Sequence, residues 1–94
     1  MAIVLARFKV ADYDKWRSVF ESKADLRKSY GCTGTHIFYN AKDKGDVIVN
    51  LQWDTEDNAT RFQQSDEIKS AMLEAGVMGP AEFIFLEDGG RTSS

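Results

Sequence analysis

Hydrophobic and polar positions along the chain follow two different periods, which predict strands and helices in turn. Residues 3–10, Ile-Val-Leu-Ala-Arg-Phe-Lys-Val, are aliphatic, β-branched and aromatic and predict a first strand. Apolar residues then recur at three- and four-residue intervals from Trp16 to Tyr30. Asp12 is a candidate N-cap for this segment, and Gly31 is a typical helix stop. The pattern predicts one helix of about five turns.

The rest of the chain predicts a hairpin, an interrupted helical region and a last strand. These elements are strands at 33–40 and 46–53 around a polar reversal at 41–45, helices that begin at Asp54–Thr55 and Ser65–Asp66, a loop at 76–80 with the single proline, and a strand at 82–87. Their order favours a ferredoxin-like split βαβ sandwich, an α+β fold with a four-stranded antiparallel sheet and its helices on one face. We expect residues 1–88 to form this single domain and residues 89–94 to form a disordered tail.

Both faces of the predicted sheet are apolar. In the third strand, Val49 and Leu51 lie on one face and Ile48 on the other, and in the last strand Phe85 alternates with Ile84. Helices hide only one face, and the second would leave an apolar patch of roughly several hundred Å² in water. We therefore expect a homodimer joined through its sheet faces, which makes an α/β barrel of two chains. Cover by loops or by the tail is the alternative.

Charge and composition exclude several classes of protein. The chain has 94 residues, 12 basic and 15 acidic side chains and a net charge of −3, which argues against a nucleic-acid partner. Its single cysteine, Cys32, excludes an internal disulfide framework and favours a reducing compartment. No apolar run approaches the ~20 residues of a membrane span, so no membrane partner is expected. We expect a cytoplasmic protein.

Two segments carry a family resemblance, together with the order of the elements. They are residues 10–16, Val-Ala-Asp-Tyr-Asp-Lys-Trp, and residues 72–80, Met-Leu-Glu-Ala-Gly-Val-Met-Gly-Pro, which lead into Phe-Ile-Phe-Leu-Glu at 83–87. The chain resembles the dimeric α/β-barrel superfamily and, within it, small proteins grouped with antibiotic-biosynthesis monooxygenases and with cyclase-like proteins. The resemblance covers nearly the whole chain except the tail. It implies two sheets that form a barrel across a dimer, with a ligand cleft between each sheet and its own helices.

The resemblance specifies the fold more closely than the chemistry. Members of the superfamily include cofactor-free quinone-forming monooxygenases, polyketide cyclases, haem-degrading enzymes, muconolactone isomerases and proteins without known activity. We therefore hold two hypotheses. One is a cofactor-independent monooxygenase that acts on an aromatic or polyketide-like small molecule, and the other is a non-catalytic small-molecule-binding or interaction protein of the same fold.

His36 is the single histidine and falls on the second predicted strand. It is a candidate general base because imidazole titrates near neutrality. An axial haem ligand and a histidine packed in the dimer seam are the alternatives, and the haem role is disfavoured because no matching positions accompany it. One histidine and Cys32 do not make a nitrogen and sulfur ligand set for zinc, and no calcium-loop spacing is present. No metal and no cofactor are expected.

Cofactor-free oxygenases of the resembled superfamily surround a flat aromatic substrate with asparagine, tryptophan, tyrosine and arginine. The substrate itself is deprotonated and passes an electron to oxygen. By this resemblance His36, Asn50 and Trp53 are candidate catalytic residues, with Asn50 orienting a substrate oxygen and Trp53 stacking on the ring. Arg7 and Tyr39 are candidate substrate-binding residues. The alternative places Trp53 in the core and Arg7 at the surface or in the dimer interface.

Trp16, Phe20 and Met72 lie on the apolar stripes of the predicted helices. Such stripes are often core, but these three side chains are the natural walls of a cleft between helices and sheet, and they complete the substrate-binding candidates. Lys23 and Arg27 fall close to the same stripe, where they extend outward along it or meet an acidic ligand.

Overall fold

In a computed structural model that describes residues 1–93, four strands and four helices form the predicted ferredoxin-like α+β fold. Their order is β1 (Ala2–Val10), α1 (Tyr13–Ser22), α2 (Ala24–Ser29), β2 (Cys32–Asn40), β3 (Asp43–Trp53), α3 (Glu56–Gln64), α4 (Asp66–Glu74) and β4 (Val77–Leu86). The strands pair in the order β2-β3-β1-β4, and each neighbouring pair is antiparallel. Residues 89–93 are in neither a helix nor a strand, and Ser94 lies outside the described residues.

The helices cover one face of this sheet, which we call the inner face. Its buried strand residues pack with residues of α1, α3 and α4 in a single core. The buried strand residues are Val4, Ala6, Val10, Val47, Val49, Leu51 and Trp53. Alternation along the strands places every second residue here, so the inner face follows directly from the period of two.

The opposite face, which we call the outer face, has no helix over it in residues 1–93. Strand register brings Leu5 between Asn50 on one side and Ile84 on the other, and Asn50 in turn faces His36. The outer face comprises Ile3, Leu5, Arg7, Lys9, Gly34, His36, Phe38, Asp46, Ile48, Asn50, Gln52, Met78, Glu82, Ile84 and Leu86. Its centre is largely apolar, as the sequence predicts, and its Lys9–Asp46 end is charged.

The single five-turn helix predicted after β1 is wrong, because two helices occupy this segment. Lys23 adopts φ −100° and ψ 14°, outside the helical range, and separates α1 from α2. The Ser22 hydroxyl donates to the carbonyl oxygen of Val19 at 2.6 Å, a local bond that competes with helix continuation. The break turns α2 back so that Arg27 reaches the carbonyl oxygen of Phe20.

The loop predicted at 76–80 is also wrong, since β4 begins at Val77. Val77 pairs with Val10 and Met78 with Lys9, but Glu82 pairs with Arg7, so residues 79–81 bulge out of the ladder. Pro80 lies in this irregular part of an edge strand, where a missing N–H costs no ladder bond. At the opposite edge of the sheet the reversal is tighter than predicted, because β3 already begins at Asp43. The predicted caps Thr55 and Ser65 are confirmed by their bonds to Asn58 N and Ile68 N.

Candidate functional site

An apolar cleft lies between the inner face of the sheet and the helices. Its cavity has a volume of about 70 Å³ and is partly open to solvent. The lining comes from every helix and from three of the strands: Ala6, Phe8, Trp16, Val19, Phe20, Lys23, Leu26, Arg27, Val49, Leu51, Phe62, Ile68, Ala71, Met72, Ala75 and Phe83. Because 14 of these 16 side chains are uncharged and apolar, the cleft suits a hydrocarbon or aromatic body.

Aromatic rings form much of the wall. Trp16 is 3% exposed, and its ring centroid lies 5.1 Å from that of Phe20 and 5.6 Å from that of Phe8. These spacings are within the usual range for interacting aromatic pairs. Trp16, Phe20 and Met72, which the sequence predicts as cleft walls, all line the cavity. The substrate role assigned to them stays a prediction.

Two cations line the cleft, and they differ in their partners. Lys23 lies 3.5 Å from a carboxylate oxygen of Glu74. Arg27 is 7% exposed, and no Asp or Glu of residues 1–93 lies within ion-pair distance of it. Its Nη1 donates to the carbonyl oxygen of Phe20 at 2.6 Å, and its Cζ lies 3.7 Å above the Phe20 ring centroid. Burial lowers the pKa of the Arg27 guanidinium from its usual value.

Three predicted site residues lie on the outer face and not in the cleft. The His36 ring stacks on Phe38 with centroids 4.2 Å apart. Asn50 faces His36 across the ladder, and its Oδ1 is the buried side-chain oxygen in residues 1–93 that has no hydrogen-bond partner. Together the two line a shallow depression with Gly34, Thr35 and Gln52.

Arg7, the third of these residues, belongs to an ion-pair network. Its Nε and Nη2 donate to the two carboxylate oxygens of Asp46 at 3.1 and 2.7 Å. Asn40 Nδ2 also donates to Asp46, and Lys9 lies 4.0 Å away. These contacts lower the pKa of the Asp46 carboxyl to about 2, the Arg7 bond being the largest cause, and the same bond raises the pKa of Arg7. The charge of Arg7 is therefore already paired with a carboxylate on this face.

Trp53 and Tyr39 lie on the inner side of the sheet but outside the cleft lining. Trp53 is 2% exposed, and its ring centroid is 5.0 Å from that of Phe62, which lines the cavity whereas Trp53 does not. Tyr39 is exposed near the end of β2, where its ring meets the edge of Tyr13. The eight predicted residues thus divide into three in the cleft, three on the outer face and these two.

The sequence interpretation did not assign Phe8, Phe62 and Phe83 to the cleft, although all three line it. A signal for Phe8 was present, since it alternates with Arg7 and shares the face of Val4 and Ala6. The sequence places Arg27 beside the apolar stripe but does not single it out as a site residue. Its burial depends on the break at Lys23, which the helical period does not reveal.

In residues 1–93 no group of three or more histidine, cysteine or acidic side chains is arranged to hold a metal ion. Burial raises the pKa of the Cys32 thiol above its usual value, so this side chain is a poor nucleophile. No helix within that range has the length and apolar character to cross a membrane.

The fold and the cleft define an α+β domain with an apolar cavity under its helices. The chain belongs to the antibiotic biosynthesis monooxygenase family, whose model matches residues 1–73. This membership confirms the family resemblance predicted from the sequence. A comparison with curated proteins finds none that matches.

Solved structures show the same fold at low sequence identity. SnoaB, a cofactor-independent oxygenase from Streptomyces nogalater, matches with a TM-score of 0.77 and 12% identity over 99% of this chain and 97% of its own. Rv0793 from Mycobacterium tuberculosis matches with a TM-score of 0.66 and 15% identity over 98% of each chain. An antibiotic biosynthesis monooxygenase matches with a TM-score of 0.72 and 12% identity over 96% of this chain and 100% of its own. At these identities the likeness establishes the fold.

Proposed function

We propose that this protein is a cofactor-independent monooxygenase that oxidises an aromatic or polyketide-like small molecule in the cleft. The observation that carries the proposal is the mostly aromatic and aliphatic lining of a partly open cavity between the sheet and all four helices. Membership of the antibiotic biosynthesis monooxygenase family and the shared fold of SnoaB support it. The cytoplasmic location stays a prediction from the sequence.

The cavity has room for part of such a substrate. A dry cavity of about 150 Å³ holds benzene, and the space here is about 70 Å³. A ring therefore enters by displacing the unbranched side chains of Met72 or Lys23 at the wall, or projects through the open side. Met72 is well suited to this adjustment because methionine has three flexible bonds.

The proposed reaction needs little from the protein beyond binding and water exclusion. A ring CH₂ group and O₂ become C=O and H₂O: one oxygen atom forms the carbonyl, the other leaves as water with the two hydrogens, and the carbon supplies the four electrons. Trp16 and Phe20 would hold the ring by stacking, and the apolar wall would keep water from the carbanion. Proton loss relies on the acidity of the substrate, because no carboxylate or imidazole lines the cleft.

That same absence of a base within the lining favours the second candidate function, a non-catalytic binding protein. His36, Asn50 and Trp53 stay predicted as catalytic residues. Their positions outside the cleft mean that any such role would act through the outer face or through the core.

Oxygen uptake with 1,8-dihydroxyanthrone, measured at an oxygen electrode with metal-stripped protein, tests the proposal. We expect one O₂ consumed per substrate, with no hydrogen peroxide, and loss of uptake in Ala71→Leu, which fills the cleft. Ser70→Leu adds the same side chain at an exposed position of α4 and should keep the activity. Circular dichroism checks folding, because overpacking costs about 1–3 kcal/mol. Binding without uptake would favour the second candidate, and equal uptake in both variants would remove the cleft from the reaction.

We also propose that two chains associate through their outer faces. Exposed Phe38, Ile84 and Leu86 on this face, with Leu5 and Ile48 between them, would be buried by a second copy. Strands of about 9 residues at a spacing of about 4.8 Å give a face of roughly 30 by 19 Å, which approaches the scale of stable interfaces. A donor from the partner would also satisfy the orphaned Oδ1 of Asn50.

A further inference from the structure

Arg27 differs from the other cations in residues 1–93 in being both buried and without a carboxylate partner. Arg27 is the single buried Lys or Arg, at 7% exposure. Exposed cations such as Arg7 and Arg17 pair with Asp46 and Glu21. Removing a cation from water is costly unless an anion or several acceptors compensate it. Within residues 1–93, the buried charge of Arg27 therefore lacks the anion or the several acceptors that would compensate it.

The protein itself compensates the charge of Arg27 only to a small extent. The carbonyl oxygen of Phe20, near the C-terminus of α1, accepts one of the five guanidinium N–H groups, and the partial negative charge of that helix end helps. The ring face of Phe20 lies against Cζ and leaves the edges of the guanidinium plane uncovered. Asn50 Oδ1 is the fully enclosed side-chain polar atom of residues 1–93 that lacks a hydrogen-bond partner. No atom of Arg27 is enclosed in this way, so its remaining N–H groups meet accessible space.

Part of that accessible space is the cleft, and the rest belongs to two surface depressions beside β2 that Arg27 also lines. Arg27 is part of the lining of the cavity, at the side where α2 approaches the inner face. An anionic oxygen group there would find two parallel N–H donors in a low-dielectric site, which is the arrangement that a guanidinium offers a carboxylate. Apart from Lys23, the rest of the lining is aromatic and aliphatic, so the rest of the ligand must be apolar.

We propose that Arg27 binds the carboxylate of an aromatic acid whose ring lies among Trp16, Phe20 and Met72. This inference rests on the proposed function in placing the ligand in the same cleft, but it does not require that a reaction takes place. It assigns the cleft a substrate class, a planar apolar molecule with one anionic end, and it assigns Arg27 a substrate-binding role.

Isothermal titration calorimetry with two matched probes tests the inference on the full chain. 2-Naphthoate carries the carboxylate, and 2-naphthamide has the same ring and nearly the same shape without the charge. We expect wild-type protein to bind naphthoate at least about tenfold more tightly than naphthamide, as a charge-assisted bidentate contact implies. The preference should weaken as salt is raised.

Substitution then locates the preference. Arg27→Gln should abolish the difference between the two probes, and Arg27→Lys should retain only part of it because the ammonium lacks the fork. Arg61→Gln removes the same charge from an exposed position of α3 outside the cleft and should leave the difference unchanged. Circular dichroism and thermal melting show whether each variant is folded, and the two-probe comparison on wild-type protein needs no variant.

Each outcome separates this inference from the proposed function. Equal binding of both probes by wild-type protein, or no binding of either, would overturn the role of Arg27, whereas oxygen uptake on an uncharged substrate would still support the monooxygenase. A naphthoate preference that disappears in Arg27→Gln would support the inference even if no substrate is oxidised. If Arg61→Gln loses the naphthoate preference to the same extent as Arg27→Gln, the preference comes from long-range charge and the inference is overturned.

Discussion

The carboxylate of Asp46 shows how one residue organises the charged end of the outer face. It lies almost wholly buried, yet it accepts bonds from Arg7 and Asn40 and lies near Lys9. A buried anion with this many donors stays ionised in the folded state, because each donor favours the charged form. Asp46 therefore fixes β1, β2 and β3 to one another at this end of the sheet.

A pH dependence follows for Asp46→Asn. The pKa of Asp46 is lowered from 3.8 to about 2 in the folded protein, so its carboxylate stabilises the fold above about pH 4 and loses that contribution as the pH falls toward 2. We expect Asp46→Asn to lower the free energy of unfolding at pH 7, and the difference from wild type to shrink steadily below pH 4. Urea unfolding at several pH values measures it.

Glu87→Gln is the matched control for this series. Glu87 is exposed after the end of β4, outside the ion pairs of residues 1–93, and its substitution should change stability little at any pH. A wild-type to Asp46→Asn difference that stays constant from pH 7 to pH 2 would contradict the role given to the carboxylate.

For single residues, the sequence predicts the face of the sheet on which a side chain lies better than it predicts the bonding partners of that side chain. Alternation correctly separates Arg7 and Asn50 from Val49, but it does not set the register that brings Arg7 to Asp46 across 39 residues. The sequence also does not show that Arg27 lacks a carboxylate partner, because this depends on where the fold places the acidic residues. The chemistry of single residues thus indicated candidates for the site. Which of these candidates lie together depends on the strand register and on the helix break at Lys23.

At the scale of elements, Gly31 links α2 to the start of β2 and is held against the beginning of α3. Its φ is +101°, and a Cβ there would overlap the carboxylate of Asp54. Asp54 has little freedom to move, since its Oδ1 accepts from Thr55 N at 2.7 Å and from Asn58 Nδ2 at 3.0 Å. The backbone of Asp54 also donates to the Gly31 carbonyl oxygen.

Gly31→Ala should therefore destabilise the protein by about 2 kcal/mol or more, from the strained backbone and the lost space together. Gly34→Ala adds the same methyl group in β2, where φ is not in the left-handed range and the nearest atom is an ordinary 3.6 Å away. That control should change the free energy of unfolding by less than about 1 kcal/mol. Equal losses in the two variants, measured by urea unfolding, would contradict the account.

Element types were predictable where the period was long and the caps were clear, as at Thr55 and Ser65. The two errors have local causes. The Ser22–Lys23 break leaves the apolar period nearly intact, so periodicity alone misses it. The Gly-Pro pair at 79–80 is typical of a loop, but edge position and a bulge allow the strand to continue through it.

At the scale of the whole molecule, the apolar outer face leads to a prediction about assembly. Light scattering coupled to size exclusion should give wild-type protein twice the 10.6 kDa mass of one chain. Leu5→Glu places a charge at the centre of the outer face and should give a monomer, because an unpaired charge in an interface is costly. Leu73→Glu makes the same change at a position 80% exposed on α4 and should stay dimeric.

Wild-type protein that elutes at the mass of one chain at micromolar concentration would contradict the assembly. Dissociation by Leu73→Glu as readily as by Leu5→Glu would instead place the contact on the helical side.

The overall fold was readable from the order of the elements, and the structure and its solved neighbours confirm its class. The cleft was expected in the right layer, with Trp16, Phe20 and Met72 in its wall. Its separation from His36, Asn50 and Trp53 was not expected, because a sequence shows which residues share a strand but not which layer a ligand enters.

Two-dimensional ¹H–¹⁵N NMR during titration with 1,8-dihydroxyanthraquinone, which resembles the proposed product, tests the location of the site most directly. The chain has two tryptophans, so its indole N–H signals are few and assignable. We predict a large shift of the Trp16 indole signal, a smaller one for Trp53, whose ring lies beside that of Phe62, and none for the Asn50 side-chain amide on the other side of the sheet. Shifts confined to Asn50 and His36, with the Trp16 signal unmoved, would contradict the account.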